Sequence, residues 1–327
     1  MRLFISADME GISGVERVHE ITPGRSPYDV FCRVMAGDVN AVVAGCFEAG
    51  AQEVVVADGH ARMTNLVPAD LDPRVRLKSG PSKHVQFKGI SEEFDAVMFV
   101  GYHSRSGTQG ILSHTYVSSF LDVRLDGISV GEAGLNTRFL RGLGLPVIFM
   151  SGDNVATEEA RPQLGAITFV QTKKALGRTS AQHLALGESR QRLKVGAIEA
   201  LKQPIPPSHP DDSDVSIDID LSVDSSTSIP PGVLARNRRF LDDAEDVELN
   251  DFEFVLRTGE VDAVAEGTVR LHGPIRDVYP GVGRLATLLM DRNLDWLYRE
   301  VTAAPYDRDL SEFTGVLPCE QSAQHRP

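Results

Sequence analysis

Cysteine is scarce in this 327-residue sequence: Cys32, Cys46 and Cys319 are the full set. Three is an odd and sparse number, and Cys32 and Cys46 fall in a stretch with buried-helix periodicity. A disulfide framework is therefore not expected, and a reducing compartment, the cytoplasm, is. Positive charge is also in short supply. Thirty-three Lys and Arg against 46 Asp and Glu leave a formal net charge of −13, which argues against nucleic acid or an anionic membrane as partner. No apolar run approaches the ~20 residues expected of a membrane-crossing helix. The N-terminal residues read as a strand, without the apolar core of a secretory signal. A Walker A loop and a complete Rossmann glycine fingerprint are missing, as are internal repeats and low-complexity tracts.

What is present is ordinary globular material, 42% hydrophobic and 24% charged, in a length sufficient for one large or two modest domains. Arg2–Ala7 reads as a buried strand. Ser26-Pro27 is a helix start, with Ser as N-cap and Pro in the first helical position. Apolar residues then recur at helical spacing from Val30 to Phe47, and Gly50 closes the helix. Glu53–Ala57, Asp95–Val100 and Pro146–Met150 are further continuous apolar strands. Between the last two lie a Gly-rich polar segment, a hairpin turn at Asp126-Gly127 and a helix from about Gly131 to Leu143. Alternation of strand and helix with such strands indicates an α/β fold with a mainly parallel sheet covered on both faces. This domain is expected to span residues 1–175. A smaller α+β domain is expected over residues 176–304, with a helix over Thr179–Lys202, an alternating strand from Val215 to Val223 and a last helix near Gly283–Glu300. Residues 305–327 read as a loose tail or docking arm.

In open α/β sheets, ligands bind beyond the carboxyl ends of the strands, and here each strand ends in candidate ligands. The first runs into Asp8 and Glu10, two residues apart and so on one face of a strand. The second ends at Asp58-Gly59-His60, the third at Gly101-Tyr102-His103, and the next helix opens with Gly131-Glu132. Asp8, Glu10, His60, His103 and Glu132 therefore converge on one edge. Two imidazoles and three carboxylates suit zinc or a similar divalent ion. Five ligands exceed the usual needs of one catalytic zinc and suffice for two ions about 3.5–4 Å apart if one carboxylate bridges. Three carboxylates against two dications leave +1, which favours a bound hydroxide near neutral pH. Without cations the carboxylates would repel one another. His114 lies too far from His103 for a helical ligand pair, and is either an acid–base group or oxyanion stabiliser or a structural histidine. Asp58 either orients His60 or forms a turn. Asp218, Asp220 and Asp224 lack the EF-hand glycine and read as a solvated strand face. Gly281-Val-Gly283 reads as a turn at a helix start rather than an anion site.

Six ordered segments resemble the zinc-dependent D-aminopeptidase family, the DppA-like metallopeptidases. They are Ser6-Ala-Asp8-Met-Glu10-Gly11-Ile-Ser-Gly14, Asp58-Gly-His60-Ala-Arg-Met-Thr-Asn65-Leu, Gly101-Tyr-His103-Ser-Arg, Ser113-His114-Thr, Val130-Gly-Glu132-Ala-Gly-Leu-Asn136 and Ser151-Gly-Asp153. They span residues 1 to about 155, and the resemblance thins beyond residue 180. It implies a dinuclear zinc centre in which Asp8 bridges, Glu10 and His60 complete one site, His103 and Glu132 complete the other, and His114 acts in catalysis. It further implies hydrolysis of the N-terminal residue of short peptides, with a D-residue preference, in a ring-shaped homo-oligomer. Two alternatives stand beside this: a peptide-binding module associated with transport that turns nothing over, and a dinuclear hydrolase of another amide.

Overall fold

A computed structural model of the protein describes residues 1–25, 27–82, 85–206, 209–221, 260–265, 268–287 and 289, with 306, 308, 310 and 313. Strands β1 (Arg2–Ala7), β2 (Glu53–Asp58), β3 (Arg76–Lys78), β4 (Ala96–Tyr102), β7 (Val147–Asp153), β8 (Thr168–Gly177) and β9 (Ser180–His183) form a seven-stranded sheet in the order β3-β2-β1-β4-β7-β8-β9. All neighbours are parallel except the β8–β9 pair. A central parallel strand is buried on both faces, which is why β1, β2 and β4 read as unbroken apolar runs. Alternate residues still sort to opposite sides: Leu3 and Ile5 join one core cluster, and Phe4 joins the other.

The cluster on the Leu3 side is filled by α2 (Tyr28–Glu48) and α5 (Leu186–Lys202). By length and composition alone α2 could cross a membrane, contrary to the expectation from the sequence. In the fold Val30, Phe31, Val34, Met35, Val39, Val42, Val43 and Cys46 are instead packed into this core. Helix α2 begins after Pro27, which has no side-chain cap bond; Ser26 lies outside the described residues.

The opposite cluster lies under α3 (Glu132–Gly142), α4 (Asn154–Leu164), a helix over residues 275–287 and a second sheet. That sheet is antiparallel, ordered β11-β12-β10-β5-β6, with β5 Phe120–Leu125, β6 Ile128–Ser129, β10 Asp214–Leu221, β11 Glu260–Ala265 and β12 Thr268–Pro274.

Several expectations shift here. The second sheet draws on both halves of the chain, because β5 and β6 pair with β10. Residue 175 lies inside β8, and β8, β9 and α5 complete the first sheet rather than a separate unit. The helix expected from Thr179 begins at Leu186, since Ser180–His183 turns back to pair with β8. Of the last expected helix, the described residues show helix over 275–287 and at 289, with Gly281 and Gly283 in its interior, not at its start. Residues 290–300, Val223, Asp224 and Cys319 lie outside the described residues. Asp218 and Asp220 do form a polar strand face, paired with Arg270 and Arg124 respectively.

Candidate metal centre

The turn after β1 is held against β4. The Asp8 amide donates to the Val100 carbonyl at 2.8 Å and the Gly11 amide to the Gly101 carbonyl at 2.8 Å. Two glycines permit this approach. A Cβ on Gly11 would stand 2.0 Å from the Tyr102 oxygen, and one on Gly101, whose φ is +76°, would stand 2.3 Å from the Asp8 oxygen. Asp8 and His103, at the ends of adjacent parallel strands, are brought side by side.

All six residues singled out in the sequence come together. His60 Nδ1 lies 3.4 Å from Asp8 Oδ1 and 3.2 Å from Glu10 Oε2. His103 Nε2 lies 3.5 Å from Asp8 Oδ2 and 3.3 Å from Glu132 Oε1. His114 stacks on His103 with ring centroids 4.2 Å apart and planes 7° apart, and its Nε2 is 3.9 Å from Glu10 Oε1. Asp8, Glu10 and His60 form one group of converging ligand atoms, and Asp8, His103 and Glu132 a second; Glu10, His103 and His114 make a third. Asp8 is common to the first two. Its Oδ2 is buried without a hydrogen-bond partner, a costly condition for a carboxylate oxygen unless a cation answers it.

The imidazoles are aimed by their outer nitrogens. His60 Nε2–H donates to the Ile21 carbonyl at 2.9 Å, and His103 Nδ1–H to the Ser104 carbonyl at 3.0 Å. Each bond fixes which nitrogen turns inward toward the carboxylates, as in metal sites where an outer acceptor sets the tautomer. His114 Nδ1–H donates to the Leu112 carbonyl at 2.9 Å, leaving Nε2 toward the cluster. Two non-glycine residues with left-handed backbone, Leu112 (φ 50°) and Tyr116 (φ 57°), bracket His114. Such conformations cost on the order of 1–3 kcal/mol each and collect at functional sites. Arg178 supports the loop by donating to the Ser113 carbonyl at 3.0 Å.

The electrostatics describe a cluster short of positive charge. Burial and the neighbouring Glu10 push the Asp8 carboxyl up to about 7. Burial also works against a charged Glu10, but His60, His103 and His114 hold it well below the usual range. Burial disfavours imidazolium, yet Glu10 and Asp8 draw His60, and Glu132 draws His103, well above the usual histidine value. Burial and His103 lower His114. Raised proton affinity at Asp8, His60 and His103 is what a buried carboxylate cluster shows when no other cation answers its charge. Ligand types, inward lone pairs and an orphaned carboxylate oxygen all fit a divalent ion such as zinc.

Three supports were not legible beforehand. Gln86 donates through Nε2 to Glu132 Oε2, while the Tyr116 amide donates to Glu132 Oε1 at 2.7 Å. Gln86 Oε1 in turn accepts from Asn136 and Tyr102, and Tyr102 bonds Ser6 at 2.8 Å. Lys173, 2% exposed, donates to the carbonyls of Glu10 at 2.6 Å and Ile12 at 2.7 Å; burial pushes its pKa down to about 8. The third support is the Ile21 carbonyl. Of the two roles open to Asp58, the structure shows the turn-forming one: it accepts from the Asn65 amide at 2.6 Å, Asn65 Nδ2 at 2.7 Å and the Leu66 amide at 2.8 Å. A lone Asn65 three residues past the His60-Ala-Arg stretch was the available signal for that role.

The arrangement, carboxylates and imidazoles converging at the carboxyl edge of a parallel sheet, is that of a metal-binding site. A family model described as D-aminopeptidase matches residues 1–233, and the chain belongs to that family of peptidases. A D-aminopeptidase of Bacillus subtilis (strain 168) is 31% identical over 218 residues, which are 66% of this chain and 80% of that protein. Among solved structures, the fold matches that of a protein described as Zn-dependent D-aminopeptidase DppA from Bacillus subtilis, a self-compartmentalizing protease. The TM-score is 0.75 at 24% identity, covering 89% of this chain and 98% of that one.

Proposed function

We propose that this protein is a dinuclear zinc aminopeptidase that removes the N-terminal residue of short peptides, with a preference for D-residues, in the cytoplasm. The observation that carries the reading is the buried, unpartnered Oδ2 of Asp8 at the junction of two ligand groups. Asp8, Glu10 and His60 would hold one ion, and Asp8, His103 and Glu132 the other. When bound, such a pair supplies Lewis acidity that polarises a scissile carbonyl and acidifies water.

The rest falls to the chain itself. Glu10 and Glu132 are occupied as ligands, so proton work passes to His114. Its Nδ1–H is committed to the Leu112 carbonyl, and Nε2 is the free position. There it would accept a proton from the attacking water and return it to the leaving amine, or stabilise the developing oxyanion. The side chain of His114 is 26% exposed while those of the five proposed ligands are 7% exposed or less, as suits a group that must meet substrate. A free α-amino group in its neutral form is a nitrogen ligand that such a pair of ions would accept, which supports exopeptidase action. A homo-oligomeric ring is part of the same reading, supported by the self-compartmentalizing character of the structural relative; in such a ring only short peptides would reach the centre.

The test is elemental analysis of the purified protein together with turnover of D-Ala dipeptides. Two zinc equivalents per chain and hydrolysis are expected, with both metals lost in Asp8→Ala. One equivalent that survives Asp8→Ala would end the dinuclear reading, and peptide binding without turnover would favour the transport-associated alternative. A panel of L-peptides and other amides separates the remaining alternative.

A further inference from the structure

We infer that the C-terminal segment around Tyr306 and Arg308 is a strap that positions His60 for its metal, acting through Glu20 and the Ile21 carbonyl; this rests on the zinc reading above. The link between strap and site is α1 (Val18–Ile21), a helix of four residues. One turn is too short to sustain itself, since nucleation is unfavourable and a single turn gains little propagation. Its position is set by what grips it.

Glu20 is the grip. It is wholly buried, and its two oxygens divide their work. Oε2 accepts the amides of Glu16 at 2.7 Å and Arg17 at 2.8 Å, closing the start of the turn. Oε1 accepts the Tyr306 hydroxyl at 3.0 Å and Arg308 Nη1 at 2.7 Å. Arg308, with a side chain 10% exposed, also donates to the Gly14 carbonyl at 2.6 Å, so it ties both ends of the loop that follows Glu10. Phe313 anchors the segment. It is 2% exposed, packs edge-on against Phe31 at 5.0 Å, and lies so close to Gly14 that a Cβ there would stand 2.9 Å from its ring.

The next residue along from Glu20 is Ile21, and its carbonyl is the acceptor that orients His60. Moving α1 by a fraction of an ångström lengthens that bond and frees the ring. His103 has no such dependence, because its acceptor is the carbonyl of the adjacent Ser104. The strap therefore acts on one half of the centre. Residues 306–313 lie outside the stretch matched by the family model.

The experiment is zinc removal from full-length protein by a graded chelator series, read as equivalents retained per chain, on wild type, Arg308→Ala, Arg308→Lys and Tyr306→Phe. In Arg308→Ala one zinc should be released at a chelator activity ~10-fold lower than in wild type, the lower end of what losing an outer-shell partner costs. The second zinc should be held as in wild type, and Arg308→Lys should restore part of the difference. Equal affinities in all variants, or equal weakening of both zincs, overturns the strap. If Arg308→Ala does not fold, Tyr306→Phe decides: it deletes one bond to Glu20 without removing the ring, and the same one-sided loss is expected. A wild-type protein that holds fewer than two zincs would refute the metal reading, whereas two zincs untouched by these substitutions would refute only the strap.

Discussion

Asp8→Asn should make the zinc-stripped protein more stable while making it deaf to zinc. The side chain keeps its size, and its oxygen can still accept the Met9 amide, which Asp8 Oδ1 takes at 2.8 Å. What is lost is a buried negative charge. Burial and Glu10 shift the Asp8 carboxyl from the ordinary 3.8 to about 7. A raised carboxyl pKa means that the folded state holds a proton the unfolded chain has released. The penalty is absent below pH ~4, grows to pH ~7 and is constant above. About three pH units at ~1.4 kcal/mol each give a penalty of about 4 kcal/mol at pH 8. Zinc reverses the comparison, because each ion at 1,000 times its Kd returns about 4 kcal/mol to the protein that binds it. Urea unfolding at pH 8 with chelator should therefore show the variant several kcal/mol above wild type, with the gap falling by more than half at pH 5. With zinc, wild type should overtake it. A variant less stable than wild type in chelator, or one stabilised by zinc as wild type is, would refute the claim that Asp8 sits between two cations.

Three further outcomes are expected. His114→Gln should lower kcat on a D-Ala dipeptide about 10²–10⁴-fold with both zincs retained by elemental analysis; loss of metal would make His114 a ligand instead. Gln86→Leu, which removes the donor to Glu132, should weaken zinc about 10–100-fold in a chelator titration, and no change would show that the Tyr116 amide alone holds Glu132. Lys173→Met leaves the carbonyls of Glu10 and Ile12 without their donor, and should cost about 2–5 kcal/mol of stability by chemical unfolding; a neutral result would mean that the loop finds other donors.

The five proposed ligands were readable because of where a parallel sheet puts its ends. Asp8, His60 and His103 each follow an apolar run, and Glu132 opens a helix, so position in the chain announced position in space. The supports were hidden for separate reasons. Ile21 contributes only a backbone oxygen, which any residue type would offer. Gln86 stands in a short 3-10 turn, Val85–Phe87, whose composition says nothing of what it faces. Lys173 lies in β8, a strand for which the sequence offered no reading, and a lysine there points into the core to meet two carbonyls. The second sheet was not legible, because antiparallel pairing of β5 with β10 joins residues about ninety positions apart, and nothing local marks such a partner. Ser180–His183 read as helix because their polarity suits a helix start as well as an edge strand.

The path between β4 and β7 carries a consequence of its own. The chain leaves one sheet at Tyr102, builds the β5–β6 hairpin in the other, and returns through α3. The tip of that hairpin is Asp126-Gly127, both left-handed, with φ of 50° and 81°. Cutting the chain there would leave Asp8, Glu10, His60, His103 and His114 on one piece and Glu132 alone on the other. With the proposed ligand set, the two pieces would share a coordination sphere across the break. They would also share the β4–β7 pairing and both cores, so zinc would add to an association that the sheet already favours, and the halves should hold together more tightly with metal than without it.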